Sequence, residues 1–454
     1  MSQRKRLLFG TDGVRGVANR HPMTSELALQ LGRAIGYRLR KSTGRRPKVL
    51  IGKDTRLSCY MIENALVSGL CSVGAEAHLL GPLPTPGIAF LTAGMRADAG
   101  LMISASHNPF EDNGIKVFAR DGYKLPDSEE AAIEALLESE ALAVYRPTGT
   151  EIGRAYRIND AAGRYSVFAK AAFPRKMTLE GMRIVVDCAH GAGYKVAPEV
   201  MHELGAEVVA LGVKPNGTNI NADCGALYPG TMAEAVREHR ATCGVALDGD
   251  ADRCILADEN GNPIDGDQVL AMLARDMLQR GELARETVVA TVMSNGGLVR
   301  AVRQVGGSVE RVQVGDRYVV ARMRAEGLNL GGEQSGHVIL HDHSTTGDGL
   351  VTALAVLGLM VRTGKPLSEL AACMSRFPQV LQNISVTRKP PLDELPDVQR
   401  CIDAVEQRLG EDARVLVRYS GTQMLARVMV EGPDDDVIAD AAGEISEAIQ
   451  EALS

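Results

Sequence analysis

A chain of 454 residues exceeds what one hydrophobic core supports, and at roughly 100–200 residues per domain it predicts three or four domains. Its 45% hydrophobic and 24% charged content is that of a globular protein, and a net charge of -7 argues against a general nucleic-acid binder. The eight cysteines include no C-x-x-C pair, so they read as reduced thiols packed as small hydrophobes rather than as a zinc knuckle or redox motif. The opening MSQRKRLLFGTDG is basic without the apolar stretch of a signal peptide, and no apolar run approaches the ~20 residues that span a bilayer. A cytoplasmic protein with no membrane partner is expected.

Strand-like apolar runs alternate with amphipathic helical stretches through residue 370, the pattern of α/β layers with parallel or mixed sheets. A first set opens with KVLIGKD (48–54), continues after a helix through VGAEAHLLG from Val73, and closes on AGLMISASHNP from Ala99. The second repeats the order with MRIVVD (182–187), LGAEVVALG from Leu204 and CGVALDGDADR from Cys243. The third runs TVVATVMSN (287–295), VGGSVERVQVG from Val305 and LNLGGEQSGH from Leu328. Each second strand is entered through a Gly, and each third strand ends in a polar loop. Triplication explains this better than chance likeness among βαβ units. From about Phe377 the character changes: 380–388 and 414–430 read as strands, 395–409 and 436–452 as helices, with Pro390, Pro391 and Pro396 outside strand interiors. The expected fold is three similar α/β domains with mixed sheets (1–155, 156–258, 259–374) and a C-terminal α+β domain (375–454).

Four loops carry chemistry-bearing residues. Ser104-Ala105-Ser106-His107-Asn108-Pro109 breaks regular structure and is read as a hydroxyl placed at a helix start, where N–H groups favour phosphate. A purely structural N-cap before Pro is the competing reading. A serine hydrolase is disfavoured, because sequence neighbours rarely meet in a triad and no G-x-S-x-G elbow exists. Asp248-Gly249-Asp250-Ala251-Asp252-Arg253 sets three carboxylates at alternate positions after an apolar strand, a repulsive cluster unless a cation neutralises it. Calcium is the rival ion, since D-x-D-x-D opens an EF-hand loop and Glu259 falls at its twelfth position. Arg253 nevertheless replaces the Gly such a loop needs, and magnesium fits better. In Gly331-Gly332-Glu333-Gln334-Ser335-Gly336-His337, Glu333 and Ser335 alternate and would face vicinal sugar hydroxyls, with a turn of no function as the equal competing reading. Arg418-Tyr419-Ser420-Gly421-Thr422, with Arg427 beyond it, reads as a phosphate cradle, a weak signal when taken alone.

Together the four loops, in this order across essentially the whole chain, resemble the α-D-phosphohexomutase superfamily, whose four domains each contribute one loop to a central cleft. FGTDGVRG (9–16), SASHNPFEDNGIK (104–116), NINADCG (219–225) and VGDRYV (314–319) look like the branch that interconverts glucosamine 6-phosphate and glucosamine 1-phosphate. The resemblance implies that Ser106 carries the catalytic phosphate and that Asp248, Asp250 and Asp252 bind one Mg²⁺ with a phosphoserine oxygen. Glu333 and Ser335 would hold sugar hydroxyls. Arg418, Ser420, Gly421, Thr422 and Arg427 would grip the phosphate not being transferred. Lys116 and His337 match acid/base positions, and Arg15 and Arg253 would lie near the reacting phosphate. It also implies a sugar bisphosphate activator and a phosphosugar substrate, and it leaves a homodimer open. Gln423-Met424 stands where the family usually continues with Glu-Pro, which bears on closure of that loop. Two other readings remain: a mutase of mannose or glucose phosphates, and a catalytically silent sugar-phosphate sensor.

Overall fold

The computed structural model describes residues 8–10, 12–410, 413–419 and 424–453. The first sheet contains β1 (Val14–Val17), β2 (Lys48–Lys53), β3 (Glu76–Pro82), β4 (Ala99–Ile103), β5 (Asp112–Ala119) and β6 (Ala155–Arg157), in the order β1-β5-β4-β2-β3-β6. The second contains β7 (Arg183–Asp187), β8 (Glu207–Leu211), β9 (Cys243–Leu247), β10 (Cys254–Ala257) and β11 (Pro263–Ile264), ordered β11-β10-β9-β7-β8. The third orders β12 (Thr287–Thr291), β13 (Ser308–Val312), β14 (Leu330–Gly332) and β15 (Val338–Leu340) as β13-β12-β14-β15.

One scheme underlies all three. The first predicted strand of each set lies between the second and the third, all parallel, and a fourth strand then returns antiparallel beside the third. The fourth strand was absent from the sequence expectation because it follows each polar loop so closely that the two read as one segment. β2, β4, β9 and β12 are buried nearly throughout, as strands covered by helices on both faces must be. β6 pairs with β3 and β11 with β10, so the first two sheets run past the expected boundaries at 155/156 and 258/259.

The last sheet is antiparallel: β16 (Gln379–Ser385), β17 (Arg414–Tyr419) and β18 (Leu425–Glu431), ordered β16-β18-β17. Helices Pro396–Leu409 and Asp435–Leu453 pack on it, and Pro396 occupies the helix start, where its missing N–H costs nothing. This cap has its own core around Val428, Val430, Ile445 and Ile449. In contrast, a single buried cluster runs from Leu50 and Phe118 through Tyr165, Val186 and Leu247 to Val288 and Leu354, joining the three α/β units. Among the described residues no helix is long and apolar enough to cross a membrane.

Candidate active site

β4 ends at Ile103, and the chain turns through 104–111 before returning as β5. No helix begins here. The hairpin to β5 consumes the residues that would have formed a first helical turn, so the expected placement of Ser106 at a helix start is corrected. Ser106 has φ +52°, a left-handed conformation that costs a residue with a Cβ roughly 1–2 kcal/mol. Its surroundings hold it there. Its N–H donates to Ser104 Oγ at 2.9 Å, while its carbonyl accepts from Arg56 Nη2 at 2.8 Å and Asn221 Nδ2 at 2.9 Å. Arg56 is fully buried, pairs with Asp54 at 2.8 Å and also donates to the carbonyls of Asn108, Pro109 and Asp112. One guanidinium thus shapes the entire loop.

The Ser106 hydroxyl donates to Asp248 Oδ2 at 2.6 Å, across 142 residues of chain. Asp248 begins the turn that joins β9 to antiparallel β10. Gly249 is required in that turn, because a Cβ there would lie 2.5 Å from the Ser106 carbonyl oxygen. Asp248, Asp250 and Asp252 are buried, and each offers an oxygen within 4.8 Å of the others. Burial pushes the Asp248 carboxyl well above the usual range, and the charges of Asp252 and Asp250 add to it. Asp250 shifts the other way. Burial opposes its ionisation, but the charge and hydrogen bond of Lys116 prevail. Among the described residues, Oδ1 of both Asp250 and Asp252 is buried without a hydrogen-bond partner. A hard divalent cation taking oxygen ligands fits this donor set. The EF-hand alternative fails: the turn lies between two strands, and Glu259 instead accepts from the Ser368 amide at 3.3 Å.

Lys116, on β5, is buried with Nζ 2.8 Å from Asp250, 3.3 Å from Asp252 and 3.3 Å from Asp12. Burial alone would lower its pKa, yet these carboxylates hold it well above the ordinary lysine value. Arg15 pairs with Asp12, and Arg253 Nε lies 3.9 Å from Asp252. His337 Nε2 stands 3.6 Å from Asp316 and 4.0 Å from Asp252, in space left by Gly347, where a Cβ would fall 2.4 Å from that nitrogen. Both His337 ring nitrogens are buried with no hydrogen-bond partner among the described residues. His107 Nδ1 does approach Ser106 Oγ, at 3.3 Å. Burial, then the charges of Arg253 and Arg15, push its ring down to about 4, so it is neutral at pH 7. The serine hydroxyl is directed to Asp248 rather than into a hydrolytic triad.

The third loop joins β14 to β15 as a turn. Strand alternation stops at Gly332, so it cannot set Glu333 and Ser335 on a common side. Glu333 Oε1 accepts from the Gly315 amide at 3.1 Å, and Ser335 is exposed. In the cap, Arg418 and Arg427 lie opposite each other on β17 and β18, and Arg427 Nε is buried with no hydrogen-bond partner among the described residues. Ser420, Gly421, Thr422 and Gln423 lie outside the described residues.

Sequence reasoning assigned no role to Asp12, Asp54, Arg56, Thr85, Lys124, Asn221 or Asp316, all of which shape the site. Thr85 donates to Asp250 at 2.6 Å. The signal was available for several: Asp12, Asn221 and Asp316 lie within FGTDGVRG, NINADCG and VGDRYV, and Asp54 closes KVLIGKD.

The chain matches four models of the phosphoglucomutase/phosphomannomutase type: alpha/beta/alpha domain I over residues 6–143, domain II over 165–261, domain III over 265–377 and the C-terminal domain over 381–448. A phosphoglucosamine mutase from Syntrophotalea carbinolica is 58% identical over 99% of this chain and 98% of that protein. One from an Anaeromyxobacter species is 59% identical over 99% of this chain and 96% of its own. A phosphoglucomutase/phosphomannomutase family protein from Burkholderia thailandensis shares the fold with TM-score 0.79 at 24% identity, covering 97% of both chains. The N-acetylphosphoglucosamine mutase of Aspergillus fumigatus, solved with GlcNAc-6P and magnesium, superposes with TM-score 0.64 at 18% identity over 99% of this chain and 96% of that one.

Proposed function

This chain belongs to the phosphoglucosamine mutase family of the phosphohexomutases, and from that premise we propose how its residues interconvert glucosamine 6-phosphate and glucosamine 1-phosphate. Ser106 carries a phosphoryl group. The free hydroxyl of the bound sugar phosphate attacks phosphorus, the bond to Ser106 Oγ breaks, and a bisphosphorylated sugar results. After reorienting, that sugar returns its other phosphoryl group to Ser106, leaving the isomeric monophosphate. The reading is supported above all by the 2.6 Å contact between Ser106 Oγ and Asp248, which brings the nucleophile to a trio of buried carboxylates.

Asp248, Asp250 and Asp252 would hold Mg²⁺, which when bound supplies Lewis-acid neutralisation of phosphoryl charge. Lys116, kept cationic, places positive charge beside the transferring group and can protonate the departing serine oxygen. His337, whose ring nitrogens have no hydrogen-bond partner among the described residues, takes the proton of the attacking hydroxyl. Arg15 and Arg253 add charge around the equatorial oxygens. Glu333 and Ser335 orient sugar hydroxyls, while Arg418 and Arg427, with Ser420, Gly421 and Thr422, hold the distal phosphate. A sugar bisphosphate primes the serine, the setting is cytoplasmic and a homodimer belongs to the same proposal.

The test is an assay with glucosamine 6-phosphate, Mg²⁺ and a trace of bisphosphate, run beside intact-mass and peptide mapping of Ser106. Ser106→Ala is expected to lose turnover by on the order of 10³-fold or more with its fold intact. Near-normal activity in that variant removes the nucleophile assignment. Comparing kcat/KM for glucosamine, mannose and glucose phosphates tests the substrate.

A further inference from the structure

We propose that Asp12, Lys124 and Asp316 form a positioning bridge that sets Lys116 and Arg15 of the first unit in register with His337 of the third. The inference rests on the mutase reading and adds to it three residues that touch neither the serine nor the carboxylate trio.

The bridge is an alternation of charge. Asp12 lies 3.3 Å from Lys116 through Oδ2, which also meets Arg15, and its Oδ1 meets Lys124. Lys124 Nζ then reaches Asp316 Oδ2 at 2.6 Å, and the same oxygen stands 3.6 Å from His337 Nε2. The side chains of Lys124 and Asp316 are only 14% and 13% exposed, so little water competes for these contacts. Lys116 therefore has two sets of restraints, the Asp250–Asp252 turn of the second unit and Asp12. Asp12 is held in turn by a lysine anchored on the third unit. Without Lys124, two carboxylates lose the cation between them, and Asp12 swings toward Lys116 and Arg15.

The backbone around Lys124 has independent ties to the third unit. Thr345 Oγ1 donates to the Gly122 carbonyl at 2.8 Å, and Tyr123 Oη meets His341 Nε2 at 3.0 Å. The Arg324 guanidinium sits 3.8 Å from the centre of the Tyr123 ring. Substituting Lys124 thus removes the charge bridge and leaves the interface that supports it.

In full-length enzyme assayed with glucosamine 6-phosphate and saturating Mg²⁺, Lys124→Met is expected to lower kcat on the order of 10- to 100-fold, the scale of a roughly 1 Å misplacement. KM is expected to stay within about twofold, and Lys124→Arg to recover most of the rate. Asp316→Asn is expected to show the same split, and the double variant to be scarcely slower than Lys124→Met, since both break one bridge. A purely structural role predicts instead a lowered Tm with kcat and KM altered together and no recovery by arginine. An active wild type matched within twofold by Lys124→Met and by Asp316→Asn overturns the bridge alone. A wild type that leaves glucosamine 6-phosphate unconverted refutes the mutase reading and the bridge with it.

Discussion

At the scale of single residues, the site is organised around a serine that is expensive to hold in place. Ser106 adopts φ +52° because Arg56 and Asn221, from two different units, converge on its carbonyl. Arg56 is the costlier of the two to lose. Replacing it with Met removes the cation paired with the buried Asp54 carboxylate and leaves the carbonyls of Ser106, Asn108, Pro109 and Asp112 without their guanidinium donor. The expected loss is about 3–5 kcal/mol of stability, read from urea unfolding, with activity abolished even in molecules that stay folded. Metal dependence belongs at this scale too. Lys116 offsets only part of the repulsion among the three buried carboxylates, so Mg²⁺ at about 100 times its Kd is expected to stabilise the wild type by ~2.7 kcal/mol. Thermal scans with and without chelator should show that shift, and Asp252→Asn should shrink it.

Elements matter through what their ends do. Helix Gly349–Thr363 starts at Asp348, whose carboxylate caps the Leu350 and Val351 amides and accepts from the buried Tyr165 hydroxyl at 2.9 Å. Burial raises the Asp348 carboxyl to about 6 from an ordinary value of 3.8. A raised carboxyl contributes stability that is fully present below the unfolded value and lost as pH rises through the folded one. Between pH 4 and 7 the wild type should therefore lose up to about 3 kcal/mol through this group. Asp348→Asn is expected to flatten that part of the profile. Equal slopes in the two proteins would show that Asp348 does not titrate in this window.

On the scale of the whole molecule, cores are divided unevenly. One buried cluster binds the three α/β units together, whereas the cap is a separate core joined at a small junction. There, Glu431 accepts from the Gly296 amide at 2.7 Å and from Asn295 Nδ2 at 3.1 Å, beside Phe377. Domains joined by small polar interfaces move relative to one another by default. The bisphosphorylated intermediate proposed above, which turns around between two phosphoryl transfers, would require such motion. Hydrogen exchange should show β16 and β18 opening well before β9 and β12, and Glu431→Ala should accelerate opening of the cap alone. Uniform protection across all four sheets would rule this out.

The amino-acid order by itself determined what is local in chemistry. A serine beside His-Asn-Pro and three aspartates at alternate positions each lie within a short turn of their own, so each motif can be read in a string of letters. The first three strands of each set were legible for a related reason, because burial on both faces writes continuous apolar runs such as those of β2 and β9, whereas their order in the sheet and the returning fourth strand were not. Only the tertiary structure decided which distant groups complete those turns. Arg56 bends the Ser106 loop from a neighbouring segment, Thr85 braces Asp250 across 165 residues, and Lys124 meets Asp316 across 192. Ion pairs and hydrogen bonds depend on distance in space, and an isolated lysine or arginine carries no mark of the partner that folding will bring to it.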